Sequence, residues 1–337
     1  MRIVVVGATG NIGISLVERL AADPAVDSIV GVARRAPEER LEFAGSERVS
    51  WVPADIRYDD LEPLVEGADA VVHLAWMFQP THRPEVTWST NVVGTSRLID
   101  AVVATGVPAL VVASSVASYS PRANTAPVDE AWPTHGTSTA PYAREKAYVE
   151  RLLDAVEADE AGPRVVRIRP AFVFQARSAS EQQRIFAGPL LPRTLVRPSL
   201  IPALPVPGDL HLQAVHAADV ADAFARATLS DVSGAFNICA DDVLGPAELT
   251  RLVRARRVPV PPALLRGLMT VAWTARAIPA DPKLFDAVMV LPMMSNARAR
   301  SELDWQPTRS AEDVLEEFLV GLRKGAGERT APLEPSS

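Results

Sequence analysis

The sequence predicts an α/β protein, a doubly wound parallel sheet with a smaller, loop-rich C-terminal region. Three observations carry that prediction. Short runs rich in Val and Ile alternate with longer stretches of helical period. The runs are apolar throughout, as strands covered on both faces of a sheet must be. The first run ends in glycines spaced three apart, immediately before a helical stretch.

Residues 3–6, 28–32, 49–52, 70–74, 109–113 and 165–168 are the predicted strands, with amphipathic helices between them, the first over 14–22. The crossovers are expected to be right-handed. Past residue 170 the texture changes. From Pro189 to Pro207 the chain reads PLLPRTLVRPSLIPALPVP, whose prolines forbid long helices and central strands, so a cap or lid is expected there. A helix over 217–229 and a strand over 235–239 return to the sheet, an irregular apolar region runs to about residue 295, and a last helix covers 311–322. The division is thus 1–170 with 213–240 for the sheet domain and 171–212 with 241–325 for a substrate-binding cap. Residues 326–337, polar and rich in Pro, are expected to be a disordered tail.

Composition narrows the function. The 337 residues are 48% apolar and 22% charged, which excludes a largely disordered chain. Lys and Arg number 34 against 41 Asp and Glu, a net charge of −7, so no global positive field draws the chain to nucleic acid or anionic lipid, and neither is expected as a partner. The single cysteine, Cys239, closes no disulfide or zinc site and suits a reducing compartment. MRIVVVGATG reads as a strand, not a signal peptide. The most membrane-like stretches, 101–117 and 261–278, are broken by Gly106 and Pro108 and bracketed by Arg266 and Arg276, so a cytoplasmic location is expected. His73, His82, His135, His211 and His216 lack ligand spacing, so no metal is expected, and His73 reads as a core histidine.

The segment Gly7-Ala8-Thr9-Gly10-Asn11-Ile12-Gly13 carries the first chemistry. Gly7 turns the chain sharply, Gly10 has no Cβ to hold a pyrophosphate off the backbone, and Gly13 packs helix against strand. The amides of Asn11 and Ile12 then face an anion at the helix N-terminus. At the end of the second strand, Ala33 stands where an acidic residue would bind a free ribose diol, and Arg34 and Arg35 follow. Two guanidinium groups suit a 2′-phosphate, so NADP(H) is favoured, with NAD(H) the alternative because an arginine also stacks on adenine. Asp55 suits either the adenine amino group or the cap of a following turn.

Tyr142 and Lys146, four apart in PYAREKAYVERLLDAVE, share a helix face. A free phenol has a pKa of about 10, and a neighbouring ammonium with an oxidised nicotinamide would lower it, making Tyr142 a general acid or base. Lys146 would also hold the nicotinamide ribose. Ser114 and Ser115 end the fifth strand, where open α/β sheets bind ligands, and a hydroxyl there can polarise a substrate carbonyl.

Taken together, GATGNIG (7–13), HLAW (73–76), NVVGT (91–95), ASSVASY (113–119), the Tyr142 and Lys146 pair and RIRP (167–170) occur in the order and spacing of the extended short-chain dehydrogenase/reductases, also called the NAD-dependent epimerase/dehydratase family. The chain resembles that family from residue 1 to about 240. The resemblance implies a Rossmann domain and a catalytic triad of Ser115, Tyr142 and Lys146. It also implies that Thr9, Ile56, Leu74, Ala75, Trp76, Asn91 and Ser114 line the cofactor, that Pro170 and Val173 lie near the nicotinamide, and that His216 and Asp219 mark the return into the cofactor domain. Homodimerisation through the helices bearing Asn91 and Tyr142 is a further expectation of the resemblance.

The departures concern the substrate. Sugar-nucleotide members usually continue the RP segment with Asn and Gly-Pro, where this chain has Ala171-Phe172-Val173-Phe174-Gln175, and they tend to carry an arginine where it has Asp209-Leu210-His211-Leu212. Trp76, Met77, Phe78, Phe172, Phe174, Phe186 and Trp273 are candidate pocket walls beside Ser115 and suit an apolar small molecule, with about half of these aromatics expected to be plain core. Arg193 and Arg197 keep a phosphate-bearing substrate open. The leading expectation is an NADP(H)-dependent oxidoreductase of an apolar ketone or secondary alcohol. An NAD(P)-dependent epimerase or dehydratase of a nucleotide sugar is the alternative, and a non-catalytic dinucleotide sensor is a third.

Overall fold

Runs of Val and Ile, whose branched side chains favour extended backbone, form seven parallel strands in the computed structural model, which describes residues 1–37, 41–79, 81–188 and 202–335. In chain order come β1 (Arg2–Val6), α1 (Asn11–Ala21), β2 (Ser28–Ala33), β3 (Val49–Pro53), α2 (Glu62–Val65), β4 (Ala70–His73), α3 (Pro84–Trp88) and α4 (Thr95–Ala104). β5 (Ala109–Ala113), α5 (Pro141–Glu157), β6 (Arg164–Pro170), β7 (Phe172–Phe174), α6 (Ala179–Gln182), β8 (Ala203–Val206), β9 (Ala214–His216), α7 (Ala217–Thr228) and β10 (Gly234–Ile238) follow. The chain ends with α8 (Pro246–Leu252), β11 (Arg256–Pro259), α9 (Pro262–Thr274), α10 (Pro282–Val290), α11 (Ala297–Glu302) and α12 (Ala311–Lys324).

The large sheet runs β10-β6-β5-β4-β1-β2-β3. Its order reverses between β1 and β4, which pair in parallel from Ile3 opposite Ala70 to Val6 opposite His73. That reversal opens a crevice beyond the carboxyl ends of the two strands. Leu16, Val17 and Leu20 of α1 and Val220 and Phe224 of α7 cover one face of the sheet. Val65 of α2, Leu98 and Val102 of α4, and Val149 and Leu153 of α5 cover the other.

Three expectations from the sequence meet a different arrangement. The region after residue 241, expected to be irregular, is helical through α8, α9 and α10, with Pro246, Pro262 and Pro282 opening these helices instead of breaking them. Residues 297–305, grouped with the cap, pack on the sheet domain: Trp305 is buried in the core of the α7 face and its Nε1 donates to the Asp219 carbonyl at 2.8 Å. The tail, expected to be disordered, is held to residue 335. Leu333 is fully buried, Thr330 Oγ1 donates to the Thr9 carbonyl at 2.9 Å, and Arg184 donates to the carbonyls of Pro332 and Glu334. Its order comes from partners distant in the chain, which composition does not register. The predicted lid over 189–207 lies mostly outside the described residues, as do Arg193 and Arg197.

A buried ionic cluster ties the site-bearing elements together. Glu150 of α5 is fully buried and accepts from Arg169 Nε and Nη2, both at 2.9 Å, from Arg167 Nη1 at 3.3 Å and from the Ser114 hydroxyl at 2.5 Å. Burial alone pushes its carboxyl up, but the hydrogen bonds and charge of Arg169 hold it below the ordinary carboxylate range. Arg169 Nη1 also donates to Tyr119 Oη at 2.9 Å, which in turn donates to Asn237 Oδ1 at 2.7 Å. Replacing Glu150 by Gln keeps the shape and leaves Arg169 without its carboxylate. The expected cost is about 3–5 kcal/mol, as for other broken buried pairs, read from urea unfolding; a loss under about 1 kcal/mol would mean that the cluster does not brace the fold.

Candidate active site

β1 leads into a turn that only glycine can make. Gly7 has φ of 90°, and a Cβ there would lie 2.5 Å from the Ala75 nitrogen, so the turn presses against the chain leaving β4. A Cβ on Gly13 would lie 2.2 Å from the Gly7 carbonyl oxygen, which fixes α1 close against the turn. Gly10 faces open space, its nearest contact for a Cβ being 3.6 Å away, and it begins α1 with no side-chain cap and no acidic residue in the first turn. The α1 N-terminus is therefore a free anion site at the mouth of the crevice.

A cleft of about 590 Å³ runs along this turn. Gly7, Thr9, Gly10, Arg34, Asp55, Ile56, Leu74, Ala75 and Trp76 line it, nine of the residues predicted to hold a cofactor. Asp55 is gripped by Arg57, whose Nε and Nη2 reach both of its carboxylate oxygens, and these hydrogen bonds hold its pKa down. Arg35 is exposed at the strand end and is not on the cleft wall. Asn11 faces sideways instead: its Nδ2 donates to the Val173 carbonyl at 3.2 Å, and its own carbonyl and Oδ1 accept from Gln175 Nε2. Ile12 packs partly buried against the core, and Pro170 ends β6 beside Ile238. Asn91 does not reach the cleft. It is fully buried, with Oδ1 accepting from the Met77 amide and Nδ2 donating to the Met77 carbonyl and to Glu145.

A second, smaller cavity of about 380 Å³ is walled by Met77, Phe78, Pro84, Pro141, Tyr142 and Leu284, with Thr81, Thr87, Glu145 and Asp281 as its polar groups. Phe78 stacks on Tyr142, ring centres 5.0 Å apart, and Phe186 meets Phe78 edge-on at 5.9 Å. Phe172 and Phe174 do not join this wall. They stack on each other, and Phe174 packs against Phe318 of α12, so this pair belongs to the core. Trp273 stacks on His82 at 3.9 Å and donates from Nε1 to Thr81 Oγ1.

Of the three predicted catalytic groups, Tyr142 lines the smaller cavity, and Tyr142 and Lys146 both lie against Trp76 of the larger cleft. Tyr142 sits in the first turn of α5, after Pro141, and the Ser115 side chain, whose Oγ accepts from the Ala117 amide at 3.1 Å, stands near its phenol. Burial pushes the phenol up to about 12, with Ser115 opposing and the charge of Glu145 reinforcing. The expectation that Lys146 depresses this pKa is corrected: Lys146 does not act on the phenol here. Its Nζ donates to the Ala113 carbonyl at 2.7 Å and lies 3.4 Å from the centre of the Trp76 ring, and burial lowers its own pKa to about 7. Ser114 turns away from the site to Glu150. His73 is the core histidine expected, bonded through Nε2 to Thr95 Oγ1 and kept neutral by burial, with a pKa of about 3.

Sequence reading missed several participants. Glu145 is buried on α5 between Tyr142 and Lys146 in the chain and accepts from Thr87 Oγ1 and Asn91 Nδ2, both at 2.7 Å; burial raises its pKa. Glu181 and Pro332 stand on the cleft wall, the Glu181 carboxyl raised to about 7 by burial. Glu150 was detectable, since it shares the inward face of its helix with Tyr142, Lys146, Val149 and Leu153, where a charge demands a partner.

The family model described as NAD dependent epimerase/dehydratase family matches residues 3–239. An uncharacterized protein of Mycobacterium tuberculosis, Rv2047c, is 27% identical over 338 residues, covering 99% of this chain and 32% of that protein. The chain therefore spans about a third of the length of the curated relatives it first matches. Among solved structures, DesIV, a dTDP-glucose 4,6-dehydratase from Streptomyces venezuelae with NAD and TYD bound, is similar with a TM-score of 0.69, 22% identity and coverage of 99% of this chain and 100% of that one. The UDP-glucose 4-epimerase of Thermotoga maritima with UDP-glucose has a TM-score of 0.70 at 19% identity, covering 96% of this chain and 99% of its own.

Trp76 lines the larger cleft, meets Tyr142 edge-on at 5.8 Å and covers Lys146, so it stands between the two cavities. A ligand bridging them must displace the indole. Titration with a nicotinamide dinucleotide should change the indole fluorescence, and Trp76→Phe should remove most of that change; an unaltered signal in the variant would show that the indole stays in place.

Proposed function

This chain belongs to the NAD dependent epimerase/dehydratase family, and from that premise we propose that it is an enzyme that binds a nicotinamide dinucleotide and acts at a secondary alcohol or ketone carbon of a nucleotide-linked sugar, the dinucleotide being restored within each turnover. The observation that carries the reading is the meeting of Ser115 and Tyr142 where an apolar cavity adjoins a glycine-walled cleft. The cleft fits such a cofactor: the open approach at Gly10 and the uncapped α1 N-terminus suit a pyrophosphate. Glu181, with a pKa of about 7, is partly protonated at neutral pH and so repels an anion less than an ordinary carboxylate does. When bound, the nicotinamide supplies a hydride acceptor and donor.

The residues divide the remaining work. Ser115 orients and polarises the substrate oxygen. Tyr142 would take the proton of the substrate hydroxyl as the alcohol is oxidised and return it to the oxygen as the carbonyl is reduced; because burial raises its pKa, the first half requires a cation brought close to the phenol, the role left to Lys146 and the bound cofactor. Lys146 would hold the nicotinamide ribose, which requires the Trp76 ring to leave its ammonium. The Phe78 and Trp76 rings flank the phenol and exclude water from the transfer. A homodimer formed through α4 and α5 would cover Trp88, Val93 and Tyr148, all exposed on that side.

One observation favours a second reading, net oxidation or reduction of an apolar substrate: the smaller cavity is mainly aliphatic and aromatic, and among the described residues no Arg or Lys lines it to meet a diphosphate. The two differ in cofactor balance. A nucleotide-sugar epimerase or dehydratase should purify with nucleotide bound and turn over without net change at the reduced-nicotinamide absorbance, whereas an apolar ketone should consume reduced cofactor stoichiometrically. In either case Tyr142→Phe should lower turnover by about 100- to 10,000-fold and leave dinucleotide affinity within about twofold. Retained turnover would remove Tyr142 from the chemistry.

Arg34 on the cleft wall, with Ala33 in place of an acid, supports a preference for the 2′-phosphorylated cofactor. Arg34→Ala should weaken NADPH binding by roughly 10- to 100-fold, the worth of a charge-assisted contact, and NADH binding little. An equal loss for both in calorimetry would assign Arg34 to adenine stacking instead.

A further inference from the structure

A net charge of −7 conceals a strongly basic stretch. Residues 251–276 contain Arg251, Arg254, Arg256, Arg257, Arg266 and Arg276 and no Asp, Glu or Lys, a local charge of +6. Arg251 pairs with Glu248 and Glu312, and Arg266 with Asp286. The other four are exposed and form no ion pair among the described residues. Within this stretch lies α9, thirteen residues of which none is fully buried. Its Arg266 turns to Asp286 on α10, and its Trp273 to His82. Its other face carries Leu264, Leu268 and Val271 at helical spacing, 55%, 61% and 70% exposed, with exposed Ala263 just before the first and Gly267 between the leucines. Immediately before α9, every residue of β11 is exposed, Val258 among them.

An exposed aliphatic stripe flanked by unpaired guanidinium groups matches an anionic lipid surface, and we propose that α9 and the arginines around it dock this protein on one, the helix lying flat with Leu264, Leu268 and Val271 in the acyl boundary and the arginines at the level of the phosphates. The chemistry selects this occupant. A second copy apposed through the same face would bring the arginines together, and the smooth aliphatic stripe offers a protein partner no directional contact, whereas hydrocarbon needs none. The helix cannot span: thirteen residues rise about 20 Å, short of the roughly 30 Å of a bilayer core, and no helix of the described residues is long and apolar enough to cross one. The expectation of no membrane partner rested on the whole-chain charge, which averages this patch away. The inference is independent of the reaction proposed above.

Co-sedimentation of the full chain with vesicles of phosphatidylcholine, alone or mixed with phosphatidylglycerol, tests it. The protein should pellet with the mixed vesicles, not with phosphatidylcholine alone, and should be released at high salt. Leu268→Asp, at a site too exposed to unfold the chain, should weaken this binding by roughly tenfold or more. The combined Arg254→Gln, Arg256→Gln and Arg257→Gln variant should weaken it by about a hundredfold. Thermal melting confirms that both variants are folded. Absence of pelleting, or pelleting that Leu268→Asp leaves unchanged, overturns the proposal. So does an oligomer in sedimentation velocity that Leu268→Asp dissolves without any vesicle binding, which would make the face a contact between copies, or capture by polyglutamate in place of vesicles, which would make it a site for an acidic polypeptide.

Discussion

The carboxylate of Glu150 is the constraint on which the site depends. It is buried with two guanidinium groups and a serine hydroxyl, and those partners belong to three different elements: α5 supplies the acid, β6 the arginines and the end of β5 the serine. Tyr142 and Lys146 are on α5, and Ser115 follows Ser114, so the bond between Ser114 and Glu150 sets the distance between the phenol and the hydroxyl it meets. An apolar contact would hold the helix on the sheet but would not fix its rotation, because hydrophobic burial has no direction. A two-pronged ion pair does.

The same burial that supports the cluster governs the chemistry. Tyr142 is driven up to about 12 and Lys146 down to about 7, both by removal from water, so the resting site holds its charges suppressed. Trp76 covers the Lys146 nitrogen with its ring face, a cation–π contact that favours the ammonium and partly offsets its loss of water. On the function proposed above, a charged ligand that enters the cleft and displaces the indole would restore the working protonation of these groups. The C-terminal segment contributes to the enclosure, since Pro332 reaches the cleft wall and Thr330 fastens to the glycine turn.

Surface and interior follow opposite electrostatic rules here. Inside, Arg167 and Arg169 of β6 are matched to carboxylates, as low dielectric requires. Outside, in the stretch that contains α9, four exposed arginines form no ion pair among the described residues and the helix bears exposed leucines, a combination that water tolerates and that a partner surface would complete. Net charge, a single number for the whole chain, describes neither region.

Local signals settled much of this protein before any coordinates: apolar runs of strand length, the glycine spacing after β1 and the i, i+4 placement of Tyr142 and Lys146 all depend on neighbours within a few residues, and the sheet, the turn and the helix face follow from them. Arg167 and Arg169 of β6 and the glutamate of α5 were legible as charges in buried positions, though not as one cluster. What only the tertiary structure decided depends on groups far apart in the chain. Phe172 and Phe174 went to the core because α12 packs there, Asn91 turned from the cleft to Met77 and Glu145, the tail found Arg184 and the glycine turn, and Lys146 pointed to Ala113 beneath Trp76. A residue's own chemistry sets what it can bond, but long-range packing sets which partner is within reach, and no window of sequence contains that distance.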